Sequence, residues 1–291
     1  MQKLVKKQRA RDKEMKTMVV PKTQSKLTSS TINPSLTQAN YYEPWTDKAW
    51  LSPTFFKKFV ACEAEAVAEI KGEYKPDFGT ALLQGNFLHS YFESVQAHRA
   101  FIEANKKKLM TQKGELRADF TLVEGMITKL EHDDVFNGLY QGEKEVVVTG
   151  DVFGTPWKGK IDCLNLDQNY FVDLKTTRDI HKNYGTYRNP HNFIDEYNYS
   201  LQLGVYELLL EEQYGRKFTP YIVAISKEKT PEAALYKFHE NDFEEDYDVI
   251  RSYQGQVNKL IAGDERPSRC EHCDYCKLTS QIDEIHDSHY L

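Results

Sequence analysis

The 291-residue chain contains no run of about 18 apolar residues, so no membrane-crossing helix is expected. Its N-terminus is basic but has no apolar stretch behind it, so no export signal is expected either, and the expected compartment is the cytoplasm. Cysteine is scarce. Five in an acidic chain of this length do not make a secreted disulfide framework. Positive charge is not in excess, because the formal net charge is −6. A nucleic-acid partner would therefore need a local basic patch or a bound metal rather than overall attraction. What is present suffices for a core: 40% hydrophobic and 12% aromatic residues, enough for one large domain or one and a half.

The most informative stretch runs from Trp157 to Thr177. It reads as two strands around a polar turn at Asp167-Gln168-Asn169, the second strand rich in aromatic and β-branched residues (Tyr170, Phe171, Val172). Folding the hairpin about the Asp167–Gln168 bond sets Asp162 opposite Asp173. Cross-strand partners have Cβ atoms roughly 4.5–5.5 Å apart, and two facing carboxylates repel unless a cation lies between them. Asp173 and Lys175 share one face of their strand, and Val172 and Leu174 take the other. The pattern fits a divalent-metal site with an ammonium beside it. Read alone, an Asp-x-Lys triplet is equally a solvated strand face.

Along the rest of the chain, residues 1–38 form a basic, polar arm: a solubilising tail, or a phosphate-binding arm whose contribution weakens with salt. Ser52 is placed to cap a helix that has Pro53 at its first position and Phe55, Phe56 and Phe59 on one face. A second helix spans Gly79 to Glu93 and carries His89. Residues 99–140 are helical, with Phe120, Val123, Met126, Ile127 and Leu130 as the buried stripe. Val146 to Val148 opens the sheet, and Glu145 reads as a surface glutamate in preference to a group turned toward a metal. The stretch from Thr176 to Asn192, basic and aromatic, is either a DNA path or an ordinary loop. Tyr197 to Glu211 is a helix with Gln202 and Tyr206 on one face. Strands at 220–226 and 234–238 and a helix from Asp242 to Leu260 close the domain, and residues 281–291 form a tail.

A second chemical signal is Cys270-x-x-Cys273-x-x-Cys276, too dense for chance packing. Three thiols leave one ligand to find. His272 would complete a zinc site. Cys62, otherwise a small buried residue, would supply a fourth sulfur from the far end of the chain. A 4Fe-4S cluster, Zn2+ and bare thiols all remain open by sequence.

The set Gly85-x-x-x-His89, Gly159-x-x-Asp162, Asp173-Leu174-Lys175 and Gln202-x-x-x-Tyr206, followed by the cysteines, resembles the RecB-like branch of the PD-(D/E)xK nuclease superfamily. In order and spacing it looks like the phage and prophage exonuclease VIII (RecE-type) nuclease domain, over residues 39–280. That resemblance implies an α/β fold: a central mixed sheet flanked by helices, as in restriction endonucleases, with a helical N-terminal part and a cysteine-bearing C-terminal segment. It implies a Mg2+-dependent deoxyribonuclease, with Mn2+ as a substitute, degrading linear duplex 5′→3′ to leave 3′ single-stranded tails. His89, Asp162, Asp173 and the Leu174 carbonyl are the implied metal ligands, Lys175 the implied catalytic amine, and Gln202 and Tyr206 the implied DNA-positioning pair. Implied partners are DNA ends, a single-strand annealing recombinase and further copies of the chain, in a bacterial or phage-infected cell. Iron–sulfur nucleases of the helicase–nuclease and CRISPR-adaptation types are a related resemblance, imperfect because those have a longer gap before the last cysteine. The alternatives are a single-strand or structure-specific nuclease with a cluster, and a non-catalytic DNA-binding protein.

Overall fold

The computed structural model describes residues 35–281, so the expected arm at 1–38 and tail at 281–291 lie almost wholly outside the described residues. The first half is helical: α1 (Thr46–Ala49), α2 (Pro53–Ala61), α3 (Glu63–Lys71), α4 (Gly79–Glu93), α5 (Val95–Leu109), α6 (Ala118–Glu131) and α7 (Asp134–Leu139). A meander follows, β1 (Glu143–Val152), β2 (Thr155–Asn165) and β3 (Tyr170–Thr177). Helices α8 (Phe193–Glu196) and α9 (Tyr199–Tyr214) lead to β4 (Thr219–Ser226) and β5 (Ala233–Lys237). Helices α10 (Glu244–Ala262) and α11 (Asp274–Leu278) are the last of the described elements. No described helix is long and apolar enough to cross a membrane.

The five strands lie in sequence order. β3 and β4 are parallel and the other neighbours antiparallel, giving the expected mixed sheet. A parallel pair needs a crossover, and α9 supplies it. Local chemistry sets the helix bounds. The Ser52 hydroxyl accepts the Phe55 N–H at 3.3 Å, with Pro53 at the first helical position. α9 stops at Gly215, whose φ of 67° suits a residue without Cβ.

The sheet is covered on both faces. Phe56, Trp157, Ile161, Phe171 and Leu209 pack in the layer of α2, α9 and α10. Phe87, Val123, Met126, Val172 and Leu174 pack in the layer of α4 and α6. Neighbours Phe171 and Val172 thus serve opposite cores, as period-two alternation requires. Truncating fully buried Phe171 to Ala would cost about 3–5 kcal/mol.

One irregularity positions the site. On its edge toward β3, β2 is paired in two separate places. Residues Cys163, Leu164 and Asn165 pair with Val172, Phe171 and Tyr170. Further back Leu51 takes β3's place: its N–H donates to the Pro156 carbonyl at 2.9 Å and its carbonyl accepts the Lys158 N–H at 2.7 Å. Between these sections no described strand pairs with residues 159–162 on that edge. The strands part there, and a cleft opens.

Candidate active site

Continuing the β2–β3 register by one step puts Asp162 opposite Asp173, as the hairpin predicts. The ladder ends there because the Asp162 side chain takes a backbone role. Its Oδ2 accepts the Leu174 N–H at 2.7 Å. N–H and C=O of one strand residue project to the same edge, so the Leu174 carbonyl also leaves β3 toward β2. Asp173, 2% exposed, pairs its Oδ2 with Lys175 Nζ at 2.6 Å. The Lys175 ammonium also lies 4.9 Å from the centre of the Tyr199 ring.

His89 comes in from α4, with its Nδ1 3.3 Å from Asp162 Oδ1 and 4.0 Å from Glu145 Oε1. Glu145 corrects the sequence reading: it is not on the surface but 6% exposed, inside the site. The cause is backbone geometry. Glu145 has φ of 55°, and the β1–β2 pairing skips the Glu145–Asp162 position while holding register on both sides. That kink turns Glu145 inward, where it forms an ion pair with Lys160. His89, Glu145 and Asp162 each offer a ligand atom within 4.8 Å of the others.

From α9, the two amide hydrogens of Gln202 reach Asp173 Oδ1 at 2.8 Å and the Tyr206 hydroxyl at 3.2 Å. Both residues are buried. The pair fixes the Asp173 carboxylate from behind. Gly159 is required by this packing: a Cβ there would stand 2.7 Å from the Tyr206 ring. The cleft above these groups has a volume of about 720 Å3, with Tyr42, Lys58, His89 and Lys160 among its walls.

Electrostatics show what the arrangement suits. Burial pushes the Asp173 and Glu145 carboxyls up from their usual values, and the neighbouring Asp162 charge adds to this. Burial also acts upward on Asp162, but His89, Lys175 and the Leu174 N–H outweigh it and hold Asp162 down. Burial alone would lower Lys175, yet the Asp173 carboxylate above all, with Tyr199 and Asp162, raises it. A Lys175 amine able to accept a proton therefore requires a cation to neutralise those carboxylates. The Glu145 and Asp162 carboxylates converge with the His89 imidazole, and buried Asp173 faces Asp162 from outside that close group; carboxylate oxygens are hard donors that suit Mg2+ or Mn2+. Asp173 Oδ2, facing Lys175 but accepting no directed hydrogen bond, fits a metal-ligand role.

Comparison with known proteins decides the family. A model described as a PDDEXK-like domain of unknown function (DUF3799) matches residues 52–279. The chain belongs to this family. A crystal structure from Eubacterium rectale, described as a "Putative exonuclease", is similar at 27% identity and a TM-score of 0.82, over 88% of this chain and 97% of that one. A second solved structure, SSO0001, reaches 19% identity and a TM-score of only 0.33, over 64% of this chain and 82% of that one, and carries no argument. Among curated proteins none matches. The expected PD-(D/E)xK nuclease fold, and with it the class of nuclease enzymes, is what the PDDEXK-like family and the mixed sheet give.

Within this PDDEXK-like domain, the residues absent from the motif reading carried signals of their own. Lys160 is two before Asp162 and so shares its face. Glu145 falls opposite Asp162 once the β1–β2 turn is placed at Phe153-Gly154. The kink at Glu145 has no marker in the sequence. The cysteines also assemble. Cys62, Cys270, Cys273 and Cys276 place their sulfurs within 4.8 Å of one another, and His272 is not in the set. N–H groups of His272 and Cys273 pull the Cys270 thiol down to about 6.

Proposed function

We propose that this protein is a Mg2+-dependent DNA exonuclease acting on the ends of linear duplex, with residues 39–280 as the nuclease domain. The observation that carries the reading is the register of one hairpin: Asp162 stands opposite Asp173, with Lys175 paired to Asp173 at 2.6 Å. The 5′→3′ polarity, the 3′ single-stranded product, the annealing-recombinase partner, the assembly of several copies and the cytoplasmic site of action rest on the resemblance to exonuclease VIII. The similarity to the Eubacterium rectale protein supports the exonuclease reading.

Each residue has a chemical task. Asp162, Asp173, His89 and the Leu174 carbonyl would hold the cation, and Glu145 extends the set. The cation, when bound, stabilises charge developing on the phosphate and the leaving oxygen. Lys175 would orient the attacking water through its N–H donors, and would accept the water's proton only as the free amine, after releasing its own proton to solvent when the Asp173 charge is neutralised. Gln202, with Tyr206 behind it, keeps Asp173 in one orientation while the strand binds in the cleft. Lys58 and Lys160 offer positive charge to the phosphates.

Digestion of linear duplex labelled at either the 5′ or the 3′ end, beside circular duplex, tests this. With Mg2+ the 5′ label is released first and circles stay intact, and chelator stops the reaction. Cutting of circles, or release that persists in chelator, contradicts the reading.

A further inference from the structure

We propose that Cys62, Cys270, Cys273 and Cys276 hold a single tetrahedral ion of the zinc type, and not a 4Fe-4S cluster. The inference concerns a site outside the catalytic cleft and stands whether or not the protein degrades DNA.

Distance is the first argument. Cys62 Sγ lies 3.6 Å from Cys276 Sγ, and Cys270 Sγ lies 4.0 Å from Cys276 Sγ. All four sulfurs lie within 4.8 Å of one another. Zn–S bonds of about 2.3 Å directed to the corners of a tetrahedron put the sulfurs about 3.8 Å apart. In a cubane each thiolate sits on its own iron, so the iron–iron edges add to every sulfur–sulfur separation. The observed set has room for one ion at its centre. None of these cysteines is in a disulfide.

Backbone geometry is the second. Cys270 Sγ accepts N–H groups from His272 at 3.4 Å and Cys273 at 3.2 Å, and Cys273 Sγ accepts the Cys276 N–H at 3.4 Å. Four thiolates around one divalent ion leave a net negative charge, which such donors offset. The turn that aims them holds Glu271 at φ of 61°, a left-handed conformation that a non-glycine residue adopts only under strain. The sulfurs give that strain a purpose.

Position gives the ion its role. Cys62 joins α2 to α3, and Cys276 lies 214 residues later in α11. Beside them Glu63 accepts the Ser268 N–H at 2.7 Å and the Tyr253 hydroxyl at 2.6 Å. The ion would therefore clamp the C-terminal segment onto the helix pair whose Phe55 and Lys58 form a wall of the cleft. This is a structural clasp, with all four coordination positions filled by protein.

The test is elemental analysis of the full chain, purified without oxygen from cells supplied with both iron and zinc. The expected result is one zinc per chain, no acid-labile sulfide and no visible colour. Chain loaded with Co2+ should show the intense visible bands of a tetrahedral cobalt thiolate. Cys270→Ser and Cys276→Ser should each lose the zinc, and His272→Ala should keep it. Iron with matching labile sulfide overturns the proposal, as does full-length protein without metal. If Cys276→Ser fails to fold, the half-exposed Cys270 position and the cobalt spectrum of the unaltered chain still decide. An unchanged cobalt spectrum in Cys270→Ser contradicts the assignment.

Discussion

The molecule gathers side chains able to hold a metal in two places, by opposite means. In the cleft, oxygen donors converge because one hairpin stops pairing. Asp162 and Asp173 are 11 residues apart in sequence and neighbours by register. At the second place, sulfur donors converge because the whole domain closes, bringing Cys62 to Cys276 across 214 residues. The first set pairs carboxylates with Lys175, Lys160 and His89, so it holds charge that a cation can rearrange. The second gathers four sulfurs, with backbone N–H groups aimed at two of them. The contrast separates a site built for chemistry from one built for cohesion.

The largest effect expected to sharpen that contrast is at the hairpin. Asp173→Ala or Lys175→Ala should lower Mg2+-dependent DNA hydrolysis by about 1,000-fold or more, a loss of about 4 kcal/mol of transition-state stabilisation. The thermal transition should remain cooperative and the zinc content unchanged, as followed by calorimetry and elemental analysis. Undiminished hydrolysis in either variant would remove the catalytic role. Next is Glu145→Gln. If Glu145 extends the oxygen set, the Mg2+ concentration for half-maximal activity should rise about 10–100-fold, the scale seen when groups supporting a metal are lost. A titration that does not move would return Glu145 to a purely structural partner of Lys160.

At the sulfur site the expectation reverses. Cys270→Ser should lower the melting temperature by about 5–10 °C while hydrolysis at low temperature falls less than about tenfold. A variant that keeps its melting temperature but loses activity would break the distinction between the two sites. The smallest effect is a pH dependence seated in neither. His98 is buried between Phe87 and Tyr91, and burial lowers its pKa to about 4. The unfolded chain, with an ordinary histidine near 6.5, then binds the proton more readily. Stability from this residue is complete above about pH 6.5 and lost as pH falls toward 4, by up to about 3 kcal/mol. Denaturant unfolding at pH 7 and pH 5 measures it, and His98→Phe should flatten the slope.

How much of this could be read in the sequence follows from the same contrast. Register in a tight hairpin is local, so the Asp162–Asp173 opposition followed from the placement of the turn, and the separation of Asp173 from Leu174 from period-two alternation. The helix from Gly79 to Glu93 and the cap at Ser52 were equally local. Glu145 was misread because its inward turn depends on a left-handed residue inside a strand, which no neighbouring residue type announces. Gly159 looked like a motif letter, and only packing shows that the Tyr206 ring fills the space above it. For the cysteines the sequence offered three sulfurs and a choice of fourth, because the choice between Cys62 and His272 depends on tertiary closure. The ion those sulfurs suit turned on distances that spacing does not encode.

The central claim is that the two carboxylates facing each other across the β2–β3 hairpin bind one divalent cation together. Mn2+ binding, followed by electron paramagnetic resonance on the unaltered chain and on Asp162→Asn and Asp173→Asn, tests it most directly. The account predicts a bound Mn2+ signal that Mg2+ competes away and that weakens at least about tenfold in both variants. Mn2+ binding that survives both substitutions at full strength would contradict it.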